Sequence, residues 1–323
     1  MRPIPCDQCG AESFAPLFVK ESSQGQTFQL VRCRQCQLVQ VNPQPDLEAV
    51  APYYAGEYFE KRSERGYDNY FSSALKQQIN RVYGLNLRDL GFDAWEAGLS
   101  DTGPWQKDLQ GLDRDGVAIP APATDGSTRN LFEGRPPRCL DVGCAAGYFV
   151  EYMQSRGWQS EGIELSAHAA RFGIEQLQLT IYIDDFLRSA VLQQGHYDML
   201  SFWASIEHMH SPRRVLERCY ELLRPGGRLL LSTCRWGLLA RHKAARWRFM
   251  NVPEHLYFFS LSGIIRLAAD CGLRRISHIT YGSGFTSCKD AGWLYRAGKQ
   301  IADPLVKWLD QGDMMALQFE RSH

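Results

Sequence analysis

The amino-acid sequence predicts a doubly wound, mostly parallel α/β sheet with a small cysteine-rich unit in front of it, and three observations carry that prediction. From Arg138 onward, short apolar runs alternate with amphipathic stretches. A small-residue turn, Gly143-Cys144-Ala145-Ala146-Gly147, follows the first of those runs. Two Cys-x2-Cys pairs lie within the first 36 residues.

The apolar runs are Cys139–Val142, Gly162–Glu164, Thr180–Ile183, Asp198–Phe202 and Arg228–Ser232. Runs this short, separated by helix-length amphipathic segments, read as buried parallel strands with crossover helices. Upstream, Asn42-Pro43-Gln44-Pro45 breaks any continuing element and closes a first unit at residues 1–45. Residues 46–97 are rich in aromatics, with Leu75, Ile79, Val82 and Tyr83 at helical spacing, and read as a helical cap or lid. Residues 98–137 carry many Gly, Pro, Asp and Thr with little periodicity and read as a linker or mobile loop. Residues 138–323 form the sheet domain.

At 323 residues the chain has room for two or three units. Its 36 basic and 36 acidic side chains cancel, which argues against a nucleic-acid partner because no positive field is left to hold phosphates. No apolar run approaches the roughly 20 residues of a membrane span, and Met1-Arg2-Pro3-Ile4-Pro5 offers no signal sequence, so cytoplasmic residence is expected. Of ten cysteines, four are clustered and six scattered through apolar segments, a reduced-compartment pattern.

Cys6-Asp7-Gln8-Cys9 and Cys33-Arg34-Gln35-Cys36 have the spacing of zinc knuckles. Two residues between thiolates supply the tight turn that a tetrahedral ion needs, and four cysteines leave no open coordination position. A structural zinc ribbon is therefore expected, with Cys6, Cys9, Cys33 and Cys36 as ligands. The metal would supply much of the folding energy of so short a unit. A redox dithiol would instead need one pair beside a βαβ unit.

The glycine turn has no Gly-x-Gly-x-x-Gly form, as a pyrophosphate cradle requires. About 20 residues on, Gly162-Ile163-Glu164-Leu165-Ser166 ends a second strand with a carboxylate, where this architecture binds ribose hydroxyls. The run Asp141-Val142-Gly143-Cys144-Ala145-Ala146-Gly147 resembles motif I of the Rossmann-like class I S-adenosylmethionine-dependent methyltransferases. Ser205-Ile206-Glu207-His208-Met209 and Leu222-Leu223-Arg224-Pro225-Gly226-Gly227-Arg228 resemble later motifs of the same family in the same order. The resemblance covers residues 138–282, with Ala145 standing where the family usually has glycine. It implies S-adenosylmethionine as cofactor, its methionine part on the turn Gly143-Cys144-Ala145-Ala146-Gly147, with Asp141 also among the cofactor-binding residues. By the same resemblance, Glu164 would hold its ribose and Asp184 or Asp185 its adenine amino group, and Leu165, Phe186, Trp203 and Tyr58 would be further cofactor-binding residues.

Methyl transfer needs a base near the methyl group. His208 follows the fourth strand at the sheet's ligand-binding edge, and its neighbour Glu207 either fixes its tautomer or faces away. His255 lies in Asn251–Ser260 beside Glu254. That segment, with the ribbon, resembles zinc-ribbon methyltransferases of sugar and secondary-metabolite pathways, including deoxysugar C-methyltransferases. In those the His of the Glu-His pair serves near the reacting centre, which implies His255 here. Tyr53, Tyr54 and Tyr58 either form a lid or staple the ribbon to the core. The acid-free run from Arg235 to Arg248 is either an anion clamp, a membrane-surface patch or a solvated face. The expected reaction is O- or C-methylation of a small-molecule acceptor. An RNA or protein methyltransferase that recognises its target through the ribbon, and a non-catalytic binding module, are the alternatives.

Overall fold

The computed structural model describes residues 1–54, 69–99, 135–284 and 293–322. Two sheets organise it. A four-stranded antiparallel sheet is built from β1 (Phe14–Glu21), β2 (Thr27–Cys33), β3 (Val39–Val41) and β9 (Tyr257–Phe258). A seven-stranded sheet contains β4 (Arg138–Val142), β5 (Gln159–Glu164), β6 (Ile181–Ile183), β7 (Tyr197–Trp203), β8 (Leu223–Cys234), β10 (Leu273–Tyr281) and β11 (Met314–Arg321).

The large sheet runs in the order β6-β5-β4-β7-β8-β11-β10. β4 to β8 are parallel, so the order reverses between β4 and β7, the switch point where such sheets bind ligands. β11 inserts antiparallel between β8 and β10, which makes the sheet mostly rather than wholly parallel. The five parallel strands fall on the five apolar runs expected from sequence, whereas β10 and β11 were not anticipated there.

Alternation along each strand divides the core between the two faces. Leu140, Val142, Leu200, Phe202, Leu229, Leu231, Leu317 and Phe319 belong to one buried cluster. Cys139, Met199, Leu230 and Ala316, each next to one of them along its strand, belong to another. Helix α6 (Pro212–Leu222) and helix α8 (Leu261–Asp270) cover the first face through Val215, Leu216, Cys219, Ile264 and Leu267. On the second face lie α2 (Ser73–Asp89), α3 (Phe92–Leu99) and α4 (Tyr148–Ser155), through Tyr83, Leu87, Phe92, Phe149 and Met153. The helical segment expected to act as a cap is thus, from residue 73, a layer on the sheet face. Short α1 (Leu47–Val50), α5 (Ala167–Gln176), α7 (Leu238–Lys243) and α9 (Trp293–Trp308) complete the helices, and among the described residues none is long and apolar enough to cross a membrane.

Side-chain caps explain several starts. Ser72 accepts from Leu75 N and Ser260 from Gly263 N, and Pro212 occupies the first turn of α6 where its missing N–H is harmless. Helix α6 takes its cap from outside: Asp7, between the first two cysteines, accepts from Ser211 Oγ at 2.8 Å and Arg213 N at 2.7 Å.

That contact is one of several joining the N-terminal sheet to the large one. β3 pairs with β9, and Cys6, Phe28, Leu30, Cys33, Leu38, Val39 and Val41 share one buried cluster with Tyr257, Phe258 and Val252. Residues 1–45 draw their fourth strand, and much of their apolar cover, from residues assigned by sequence to the other domain.

Candidate active site

β4 ends in the glycine turn. Gly143 lies at φ +69°, and a Cβ there would stand 2.7 Å from Ser205 Cβ; at Gly147 (φ +76°) it would stand 2.6 Å from Leu179 Cδ1. Both positions therefore need glycine for conformation and for space. Gly143 N donates to Ile163 O at 2.8 Å, and Gly147 begins α4, whose first amides point toward the turn. Ala145 also has a left-handed backbone, at φ +49°, which for a residue with a Cβ costs about 1–2 kcal/mol. Its amide gains a charged partner: Ala145 N donates to Glu164 Oε2 at 2.9 Å.

Glu164 Oε1 accepts from Ser166 N at 2.7 Å. One carboxylate thus ties the glycine turn to the end of β5, and burial raises its pKa. A carboxylate offers about four lone-pair sites, so two remain for ribose hydroxyls. Leu165, 60% exposed, leaves an apolar surface beside them. The left-handed turn, the doubly held carboxylate and this apolar neighbour fit an adenosyl cofactor.

Other residues expected around the cofactor are placed less directly. Asp141 is buried, accepts from Ser201 Oγ at 2.7 Å across the β4/β7 switch, and has its carboxyl pushed up to about 8, first by burial and then by Glu164. The Cys144 side chain is buried against Gly162, where a Cβ would lie 2.5 Å from its Sγ, so Cys144 presents only its backbone to the turn. Phe186 packs its ring into the core against Phe202, ring centroids 5.8 Å apart, and leaves its backbone for any cofactor contact. Trp203 packs on Tyr83 and Phe149. Asp184 is exposed, with its pKa lowered by the Ser189 hydroxyl and the Asp185 amide, whereas Asp185 accepts from Leu187 N at 2.9 Å and pairs with Arg188 at 3.6 Å. Tyr58 lies outside the described residues.

The two candidate bases meet. After β7, Ser205 Oγ donates to Val142 O at 2.8 Å and ties the strand end to the glycine turn. The following single-turn helix Ile206–His208 delivers His208. Its ring meets that of His255 edge to face, with centroids 4.6 Å apart. Tyr54 Oη lies 2.8 Å from His208 Nδ1 and 3.2 Å from the Glu254 carbonyl. The ligand atoms of Glu207, Cys234 and His255, all three buried, lie within 4.8 Å of one another. Leu256 N donates to Glu207 O at 2.9 Å and holds the His255 loop against the β7 end. Sequence reading missed Cys234 among the scattered cysteines. The available signal was its place at the end of β8, beside β7 at the ligand edge.

The four N-terminal cysteines converge: Cys6 Sγ is 3.3 Å from Cys36 Sγ, Cys9 Sγ is 3.6 Å from Cys33 Sγ, and all four lie within 4.8 Å. Each knuckle closes on a left-handed residue, Gly10 or Gln37, with Gly10 N bonded to Cys6 O and Gln37 N to Cys33 O. A tetrahedral ion with Zn–S near 2.3 Å separates its sulfurs by about 3.8 Å, so this donor set fits zinc. Burial pushes the Cys6 thiol well up and the Cys36 thiol up to about 11, whereas against burial the backbone amides of Cys36 and Gln35 lower that of Cys33.

Residues 119–278 match the family model described as a methyltransferase domain. A ubiquinone biosynthesis O-methyltransferase of Burkholderia vietnamiensis is 33% identical over 161 residues, covering 45% of this chain and 68% of that protein. One from Idiomarina loihiensis is 26% identical over 155 residues, covering 43% of this chain and 63% of that protein. Similar solved structures include a SAM-dependent methyltransferase from Archaeoglobus fulgidus (16% identity, TM-score 0.43, 57% of this chain and 86% of that one). Another is a SAM-dependent methyltransferase, possible histamine N-methyltransferase, from Thermotoga maritima (15%, 0.45, 58% and 84%). The chain belongs to the S-adenosylmethionine-dependent methyltransferases. It is an enzyme of that class, built on an α/β methyltransferase fold.

Proposed function

We propose that the enzyme methylates a hydroxyl oxygen of a small-molecule acceptor, of the sugar, nucleotide-sugar or secondary-metabolite kind, with the His208–His255 pair supplying the base. The observation that carries this reading is the edge-to-face contact of the two histidines, His208 one short turn beyond the residue that locks the glycine turn and His255 in the loop before β9. The names of the similar proteins, O-methyltransferases of ubiquinone biosynthesis, support oxygen as the acceptor atom.

S-adenosylmethionine supplies an electrophilic methyl group on a sulfonium. The chain's residues do the rest. The turn from Gly143 to Gly147 seats the methionine part, Glu164 holds the ribose, and Asp184 or Asp185 meets the adenine amino group. An imidazole removes the acceptor's proton, and the rim aligns oxygen with methyl and excludes water. An anionic end on the acceptor has a place beyond β8, where Arg235 and Arg241 line a cavity of about 340 Å³ with Ser260 and Ser262. The four cysteines hold a structural zinc ion, and the unpaired thiols fit a reducing, cytoplasmic setting.

Calorimetry with S-adenosylmethionine, followed by a panel of acceptors with labelled methyl donor, tests this reading. Binding that weakens at least tenfold in Glu164→Ala, and label found on a hydroxyl, is the expected result. Absence of cofactor binding, or label only on nitrogen, carbon, protein or RNA, overturns it.

A further inference from the structure

The hydroxyl of Tyr54 carries a single hydrogen and, among the described residues, meets the Glu254 carbonyl and the His208 ring. The Glu254 carbonyl, 3.2 Å away, can only accept. His208 Nδ1, 2.8 Å away, donates or accepts according to which ring nitrogen carries the proton. Both contacts are hydrogen bonds at once in one arrangement only: Tyr54 donates to Glu254 O, and an Nδ1–H of His208 donates to the Tyr54 oxygen. In neutral His208 the lone pair then resides on Nε2. If Nε2 carried the hydrogen instead, Tyr54 would have to donate to Nδ1, and its oxygen would oppose the Glu254 carbonyl lone pair.

Tyr54 is held from the other side of the molecule. It ends the one-turn helix Ala51–Tyr54, and the preceding Tyr53 is buried with its hydroxyl 2.9 Å from Ser22 Oγ and 3.3 Å from Gln26 Oε1. Ser22 and Gln26 bound the turn of the β1–β2 hairpin, bonded to each other through Ser22 N and Gln26 O at 2.7 Å, and the same hairpin carries Cys33 at its end. Consecutive residues of one short helix therefore clasp the cysteine-bearing hairpin and the candidate base. Asp7, capping α6, and Gln44, bonded to Tyr257 Oη at 3.0 Å, tie the N-terminal unit to α6 and β9.

We infer that Tyr54 is a positioning residue that holds His208 in its Nδ1–H form with Nε2 as the basic nitrogen, and that the N-terminal hairpin serves the reaction by holding Tyr54 in place through Tyr53. The inference rests on His208 acting as base. The acceptor's proton goes to Nε2, and the resulting imidazolium keeps its Nδ1–H on the Tyr54 oxygen, so no hydrogen bond has to be remade as charge develops.

The test is the ring-nitrogen spectrum of the full-length protein labelled with 15N-histidine, His208 being assigned by loss of its signals in His208→Gln. At a pH where the ring is neutral, wild type is expected to show a protonated Nδ1 and an unprotonated Nε2. Tyr54→Phe should shift His208 toward the Nε2–H form and lower kcat about 10- to 100-fold with KM changed less than threefold, part of the range that general-base catalysis supplies. Tyr53→Phe, which keeps the Tyr54 phenol, should shift the same signals partway. Finding Nε2–H in the wild type, or a tautomer indifferent to Tyr54→Phe, overturns the inference. The wild-type spectrum needs no acceptor, so a failure of the proposed methylation and a failure of this assignment are read separately.

Discussion

His208 and His255 lie 47 positions apart in the chain, yet their rings meet edge to face at 4.6 Å. One comes from the end of a parallel strand and the other from a loop held down by the bond from Leu256 N to Glu207 O. Groups in such contact do not contribute independently. His208→Gln and His255→Gln are each expected to lower kcat about 10²-fold or more. The double variant should lose measurably less than the product of the two, and steady-state kinetics on the four proteins reads that coupling. Two fully multiplicative losses would show that the histidines act separately.

The buried Asp141 makes stability depend on pH. Its folded-state pKa of about 8 lies above its ordinary value, so between the two the folded chain binds more protons than the unfolded chain. Stability is therefore lost as pH rises through that window and levels off above pH 8. Asp141→Asn keeps an acceptor for Ser201 Oγ and removes the buried charge. Relative to wild type its Tm should rise progressively from pH 5 to pH 8, by roughly 2–4 °C per kcal/mol relieved. An offset that stays constant with pH would place the titration elsewhere.

Gly143→Ala brings a Cβ to 2.7 Å from Ser205 and asks alanine to adopt φ +69°. Overpacking of about 1–3 kcal/mol combines with left-handed strain of about 1–2 kcal/mol. The turn must also shift where the cofactor would lie. Urea unfolding should show the destabilisation, and calorimetry should show cofactor affinity reduced at least tenfold. Wild-type affinity in this variant would remove Gly143 from the cofactor site.

Metal analysis checks the cysteine cluster. About one zinc per chain is expected, with more than half of it lost in Cys33→Ser. Because β3 pairs with β9 and Asp7 caps α6, that loss should also lower the Tm of the main transition rather than melt residues 1–45 separately. An unchanged main transition would mean that the two sheets unfold independently.

Local patterns in the sequence were enough for the parallel strands, the glycine turn, Glu164 and the cysteine pairs. Buried parallel strands need apolar runs, a turn with positive φ and no room for a Cβ needs glycine, and tetrahedral thiolate ligation needs pairs two residues apart. None of these depends on where the rest of the chain goes. β10 escaped notice because an edge strand such as Leu273–Tyr281 carries polar residues on its exposed positions and presents no continuous apolar run, whereas the buried run Met315–Leu317 of β11 was simply missed.

The tertiary structure decided what these pieces do to one another. That the Phe186 ring turns into the core, that Cys234 joins Glu207 and His255, and that Tyr54 reaches His208 from 154 positions away all depend on long-range packing. The same holds for the N-terminal unit: its cysteine spacing foretold a cluster of four thiols, but its attachment draws on residues such as Tyr257 and Phe258 that carry no mark of it in sequence. Spacing along the chain encodes local turns. A strand pairing across 217 positions, Gln40 with Tyr257, or 219, Val39 with Phe258, is selected only when both edges are present and their backbone donors need partners.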